Sequence, residues 1–161
     1  MAEAKRTLAA ILAADVVGYS RLMGEDERAT MDLLDICRGV FRKHISAHHG
    51  RVVDTAGDSV LATFASVVEA VACAVDVQRA LVECNADLAD SRRMLFRIGV
   101  NLGDVFEKAD GSIYGDGVNV AARLESLADP GGVMISDSAH MHVEGKTDLT
   151  FQDLGEHDVK N

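Results

Sequence analysis

Leu8-Ala9-Ala10-Ile11-Leu12-Ala13-Ala14-Asp15-Val16-Val17-Gly18-Tyr19-Ser20 is the stretch whose reading decides the fold. Its apolar run is of strand length and predicts a buried central strand over residues 7–17. Asp15 stands near the end of that strand, where a carboxylate is costly to desolvate unless something pairs with it. The N–H groups of Val16, Val17, Gly18, Tyr19 and Ser20 come next, and Gly18 permits a tight turn into a helix. A carboxylate followed by a row of N–H donors suits a divalent cation beside a phosphate. A plain strand-to-helix connection, with Asp15 as a strand-end or N-cap carboxylate, has the same geometry.

A second acid sits in Val52-Val53-Asp54-Thr55-Ala56-Gly57-Asp58-Ser59-Val60-Leu61-Ala62-Thr63-Phe64. Two β-rich runs, 51–54 and 59–64, separated by a Gly-Asp turn predict a hairpin with Asp58 at its tip. Taken alone, Asp58 is an ordinary turn residue. Brought beside Asp15 by the fold, it could help to hold two divalent cations.

Between these stretches, Met31, Leu34, Cys37, Val40, Phe41 and Ile45 recur at helical spacing and predict one long amphipathic helix over 23–48, stopped by His49-Gly50. Ser66 with Glu69 three positions on reads as a capping box opening a second helix to about Leu88. Residues 95–106 read as a strand, 107–111 as a polar turn, and 117–127 as a third helix stopped by Asp129-Pro130-Gly131-Gly132. A short strand at 133–135, a short helix capped by Ser136 and a last strand at 149–154 complete the pattern. The order gives an α+β fold: a ferredoxin-like β-α-β-β-α-β core, its antiparallel sheet carrying helices on one face, plus a C-terminal hairpin extension.

The third motif is Tyr114-Gly115-Asp116-Gly117-Val118-Asn119-Val120-Ala121-Ala122-Arg123. With Asp15 and Asp58 in this order, the chain resembles the class III nucleotidyl cyclases, the adenylate and guanylate cyclase catalytic domains, over residues 7 to about 157. The resemblance implies that Asp15 and Asp58 bind two Mg²⁺ or Mn²⁺ ions. It implies that the turn Val16 to Ser20 receives the β- and γ-phosphates, that Asn119 orients the ribose, and that Arg123 contacts the α-phosphate. It further implies a head-to-tail homodimer, with Asn119 and Arg123 serving the partner's aspartates. Lys146, in Val143-Glu144-Gly145-Lys146-Thr147, resembles a basic loop that reaches the triphosphate, although a solvated loop Lys reads equally well.

Base selection departs from the family pattern. Adenylate cyclases usually carry Lys where this chain has Asp54, and Asp, Thr or Ser where it has Ser112. Guanylate cyclases carry Glu and Cys at those places. Ser112 fits an adenine-type pocket, whereas an acid at Asp54 is the better acceptor for guanine N1–H. The resemblance therefore implies an adenylate cyclase acting on ATP, with GTP possible. A guanylate cyclase and a non-catalytic cyclase-like dimerisation module are the alternatives.

Composition bounds the rest. The 161 residues, 48% hydrophobic and 26% charged, suit one soluble domain over 1–161. A formal net charge of −10 argues against sequence-independent nucleic-acid binding and against contact with an anionic membrane surface. Cys37, Cys73 and Cys84 lack Cys-x-x-Cys spacing and fall on apolar helical faces, as buried free thiols of a reducing compartment do. The start has no signal-peptide form, and no apolar run reaches the ~20 residues of a membrane helix, so a cytoplasmic location is expected, with any membrane anchor carried elsewhere in a larger parent protein. Family members continue into one more edge strand beyond Asp158-Val159-Lys160-Asn161, so a catalytic domain excised from a longer protein is expected. His48, His49, His140 and His142 read as solvated helix ends.

Overall fold

A computed structural model describes residues 4–152. Strand β1 (Lys5–Val16) is the spine of a six-stranded sheet. It pairs antiparallel with β3 (Val60–Phe64), Ala10 opposite Phe64 and Ala14 opposite Val60. On its other side it pairs antiparallel with β4 (Phe96–Glu107), from Lys5 opposite Glu107 to Val16 opposite Phe96. β2 (Arg51–Asp54) completes the hairpin with β3, so the core order is β2-β3-β1-β4.

Alternation along β1 sorts its side chains between two layers. Ala10, Leu12, Ala14 and Val16 join the main core with Leu34, Cys37, Phe41 and Ile45 of α2 (Glu27–Ala47) and Val71, Ala74, Val77 and Leu81 of α3 (Val67–Asn85). Ile11 and Ala13 face the other way, toward Val105 and Ala121 of α4 (Asp116–Leu127). Apolar residues at both parities therefore reflect a strand covered on both faces. α2 and α3 lie on one face, as the ferredoxin-like reading requires, and α4, which follows that core in the chain, covers the opposite one.

The extension begins with the expected hairpin, β4 turning into β5 (Ile113–Tyr114) with Phe106 opposite Tyr114. β6 (Val133–Ile135) then adds to β4 in parallel, Ile98 opposite Val133, and leads into α5 (Asp137–Val143). Leu149 to Gln152 are not in a strand, which corrects the expectation for 149–154; Asp153 and Leu154 lie outside the described residues.

The helix expected over 23–48 is two helices, α1 (Tyr19–Glu25) and α2. Asp26 is extended (φ −160, ψ 96), and its carboxylate accepts from the Ala29 N–H at 3.0 Å, so the residue breaks one helix and caps the next. The break is held by Arg92, whose guanidinium donates to the Leu22 carbonyl oxygen (3.2 Å) and to Thr30 Oγ1 (2.8 Å). α3 ends at Asn85, three residues short of the expected Leu88. Ser66 caps it, accepting from Glu69 N–H at 3.3 Å.

Glycines let α4 lie directly on β4. A Cβ at Gly99 would come within 2.5 Å of the Ala121 carbonyl oxygen, and one at Gly117 within 2.5 Å of the Asp104 carbonyl oxygen. Both obstacles are backbone, which cannot turn aside as a flexible side chain can. Gly99→Ala is expected to cost about 1–3 kcal/mol or more, read as a lowered Tm. Gly39→Ala, on the exposed side of α2 with nothing within 4 Å of the new Cβ, is expected to hold or raise Tm by the helix-propensity gain of up to about 1 kcal/mol. Equal responses from the two variants would remove the close-approach argument.

Candidate active site

Asp15 belongs to the β1 parity that faces α4, and its register partner across the ladder is Arg97 of β4. The loop between β2 and β3 brings Asp58 to the same place: its Oδ2 accepts a 3.2 Å hydrogen bond from the Val16 N–H. A register shift between Val52 and Asp54 and a left-handed Gly57 (φ 58) shape that loop. The two aspartates thus meet at the end of β1 although they are far apart in sequence.

α4 adds a carboxyl group that lies outside the three sequence motifs. Glu125 is only 8% exposed, and its carboxyl shares a hydrogen bond with Asp15. Burial, and then the Asp15 charge, push Glu125 up to about 8. Asp15 is also raised, first by burial and further by the Asp58 charge, against the opposing effects of the Glu125 hydrogen bond and the Arg97 guanidinium. Both carboxyls are thus pushed toward the protonated form, and a proton is shared in the hydrogen bond between them. A sequence signal was present: Ala121, Leu124, Glu125 and Ala128 are all buried and follow helical spacing, so Glu125 lies on the face that α4 turns to the sheet.

This donor set fits a hard divalent cation. It offers carboxylate oxygens crowded enough to repel one another, although among the described residues no group of three His, Cys, Asp or Glu is placed to hold a metal ion by itself. Mg²⁺ and Mn²⁺ sites of the open kind, completed by water and substrate phosphate oxygens, have this character.

The other candidate residues are spread around this centre. In the β1–α1 turn, the Val16 N–H is taken by Asp58 and the Val17 N–H by the Leu95 carbonyl (2.8 Å). That leaves the N–H groups of Gly18, Tyr19 and Ser20, with Gly18 left-handed (φ 66, ψ 37) as the helix N-cap. Asn119 and Arg123 are exposed on α4, opposite the face that carries Ala121 and Glu125, and among the described residues neither side chain has a hydrogen-bond or ion-pair partner. Asp54 is exposed, and its Oδ1 accepts from the Ala56 N–H at 3.1 Å. Ser112 Oγ donates to Asp110 Oδ1 at 2.6 Å in the β4–β5 turn. Lys146 is exposed beyond α5, whose Ala139 and Val143 pack in the main core on the sheet face away from Asp15.

The cysteines are free, Cys37 and Cys73 buried and Cys84 partly so, and burial pushes the Cys37 and Cys73 thiols up to about 12. His48 corrects the expectation of a solvated helix end: its side chain is 18% exposed and bridges α2 to α3 through Asp76 (2.9 Å) and Glu69 (3.5 Å). The Glu69 carboxylate that a capping box would turn back to Ser66 is drawn to this histidine instead.

The sequence profile of the adenylate and guanylate cyclase catalytic domain matches residues 2–161. A Rhizobium meliloti (strain 1021) protein provisionally named adenylate cyclase 3 is 52% identical over 98% of this chain, which spans 27% of that protein's length. A crystal structure described as an adenylate/guanylate cyclase/hydrolase from Silicibacter pomeroyi is 40% identical with a TM-score of 0.90, covering 98% of this chain and 92% of that one. The adenylyl cyclase CyaB from P. aeruginosa, at 23% identity and a TM-score of 0.79, covering 89% of this chain and 83% of that one, shares the fold. The chain therefore belongs to the class III nucleotidyl cyclase catalytic domain family. Among the described residues no helix is long and apolar enough to cross a membrane.

The raised Glu125 pKa sets a sign for stability. A carboxyl at about 8 when folded and near its ordinary 4.5 when unfolded stabilises the fold below pH ~4.5, and that stability is lost as pH rises through about 8. In the metal-free protein, Glu125→Gln is expected to flatten the fall in Tm between pH ~5 and ~8. Parallel Tm curves for the two proteins across that range would place the shared proton elsewhere.

Proposed function

We propose that this domain is an adenylate cyclase that converts ATP to 3′,5′-cyclic AMP and pyrophosphate in cytoplasmic second-messenger signalling. The observation that carries this reading is the meeting of Asp15 and Asp58 at one strand end, while α4 turns Asn119 and Arg123 outward with no partner among the described residues. A helix that presents Asn119 and Arg123 away from its own Asp15 would serve a second copy of the chain. A homodimer with two shared sites follows.

In that reading Asp15 and Asp58 hold two Mg²⁺ or Mn²⁺ ions. When bound, these would neutralise triphosphate charge and ease deprotonation of the ribose 3′-hydroxyl. The 3′-oxygen then attacks the α-phosphorus as the bond to the departing pyrophosphate breaks. The partner's α4 supplies Asn119 to orient the ribose and Arg123 to meet charge growing on the α-phosphate oxygens with its fork of donors. The free N–H groups of Gly18, Tyr19 and Ser20 would hold the outer phosphates, and Lys146 would add charge from its loop.

ATP is favoured by Ser112 and by the adenylate cyclase names of relatives such as the Streptomyces coelicolor protein, 30% identical over 76% of this chain. GTP is the second reading, and the acid at Asp54 favours it. Asp54→Lys separates the two, because an ammonium can donate to adenine N1 but meets a donor at guanine N1. ATP turnover is expected to hold or rise in this variant while GTP turnover stays low; a wild type that prefers GTP and loses that preference in Asp54→Lys would reverse the choice.

The decisive assay is the purified domain with Mn²⁺ and each nucleotide, read as cyclic product. Asp15→Ala and Asp58→Ala are each expected to abolish turnover while leaving the domain folded, since the repulsion removed offsets the hydrogen bond lost to Glu125 or to the Val16 N–H. Arg123→Ala is expected to lose about 10²–10³-fold. Mixing Asp58→Ala with Arg123→Ala should restore activity, because one interface of the heterodimer then collects both defects and the other collects none. No recovery after confirmed subunit exchange would rule out the shared site, and near-native turnover in either aspartate variant would rule out the metal assignment.

A further inference from the structure

Asp58 sits on a loop, and loops do not hold carboxylates in place unaided. The side chain that grips this one comes from α2. Arg38 reaches across from the helix, and its Nη2 donates to the Thr55 carbonyl oxygen at 3.0 Å and to the Gly57 carbonyl oxygen. Both acceptors lie within the segment that immediately precedes Asp58. Among the described residues the buried Arg38 Nε has no partner, so the residue bears a desolvation cost while it makes these two bonds. At the other end of the same loop, Ser59 Oγ donates to the Ala56 carbonyl oxygen at 2.7 Å, which closes the turn but does not tie it to the body of the protein.

We infer that Arg38 is a positioning residue for the metal-binding carboxylate of Asp58, acting through the backbone of the β2–β3 loop; this rests on the metal role proposed for Asp58. The chain of contacts is short: Arg38 fixes the carbonyls of Thr55 and Gly57, the loop then presents Asp58, and Asp58 accepts from Val16 N–H beside Asp15. Both bonds come from the one Nη2, which the rigid guanidinium plane holds between the two carbonyls, whereas a lysine ammonium has donors enough but a flexible stem that holds it there less well. Removing the guanidinium frees the loop while leaving both aspartates in the chain.

The test compares wild type, Arg38→Met and Arg38→Lys by two measurements. Amide hydrogen exchange in chelator reads the Val16 N–H, which is protected only while Asp58 is in place. Titration with Mn²⁺ alone, followed by the EPR signal of the free ion, reads the metal site. Arg38→Met is expected to speed Val16 exchange and to raise the half-saturating Mn²⁺ concentration by about 10–100-fold, with Arg38→Lys between it and wild type. Loss of Tm alone would mark a merely structural staple. Val16 exchange as in wild type, or half-saturation within about twofold of wild type, overturns the inference; if Arg38→Met does not fold, Arg38→Lys is judged on the same two readings. Because exchange is read without metal or nucleotide, a domain that cyclised neither ATP nor GTP would defeat the proposed function and still leave this inference to be decided.

Discussion

The close approach of α4 to β4 is the constraint on which the rest of the site depends. Gly99 and Gly117 remove the side chains that would hold the two backbones apart, and the space they leave is filled by backbone from the opposing element. At that distance α4 covers the sheet face that ends in Asp15, and Glu125 reaches the Asp15 carboxyl. The same rotation of the helix fixes Asn119 and Arg123 on its outer side. One packing choice thus buries an acid beside the aspartates and exposes the two side chains that the proposed reaction needs from a second protomer.

Electrostatics explains why this arrangement does not collapse into a closed ion pair. Among the described residues, Asp15, Asp58 and Glu125 converge with only the Arg97 guanidinium close by, and that guanidinium is partly engaged by the Ala128 carbonyl at 2.9 Å. Burial and mutual repulsion raise both Asp15 and Glu125, which favours a proton shared between them. A divalent cation could relieve the repulsion more fully, because it would neutralise both aspartates at once. The acidic balance of the whole chain, −10, adds to the same demand: a polyanionic substrate must approach an anionic protein, so cations and local N–H donors have to offset the repulsion.

Local signals carried most of the fold. The apolar run of β1, the Gly-Asp turn before β3 and the Ser66 cap are short-range features, and each formed the element that its residues predict. Failures came where a distant partner decided the outcome. The continuous helical spacing from Met23 to His48 conceals the break at Asp26, because the Arg92 guanidinium that stabilises it belongs to a turn far along the chain. His48 looked solvated until α3 supplied Asp76 and Glu69, and nothing in the helical spacing around Arg38 points to the β2–β3 loop carbonyls that it meets. Glu125 differs, since its place on the buried face of α4 could be read from spacing; the expectation that Glu prefers solvent concealed it.

The two base-facing candidates share a local habit that bears on selectivity. Asp54 accepts from the N–H of Ala56, and the hydroxyl of Ser112 donates to Asp110. Both side chains are thus engaged by their own turns, and a purine edge would have to compete with bonds already made. An acceptor released from an Asx turn costs about one hydrogen bond, on the order of 1 kcal/mol, which is comparable to what a single base contact returns. Discrimination between adenine and guanine through these residues would then be small, whereas Asp15, Glu125 and the α4 backbone are fixed by burial. In the proposed reading, Asp15 stands on the sheet and Asp58 on a loop bonded to it, and base choice is left to two turns that can rearrange at little cost.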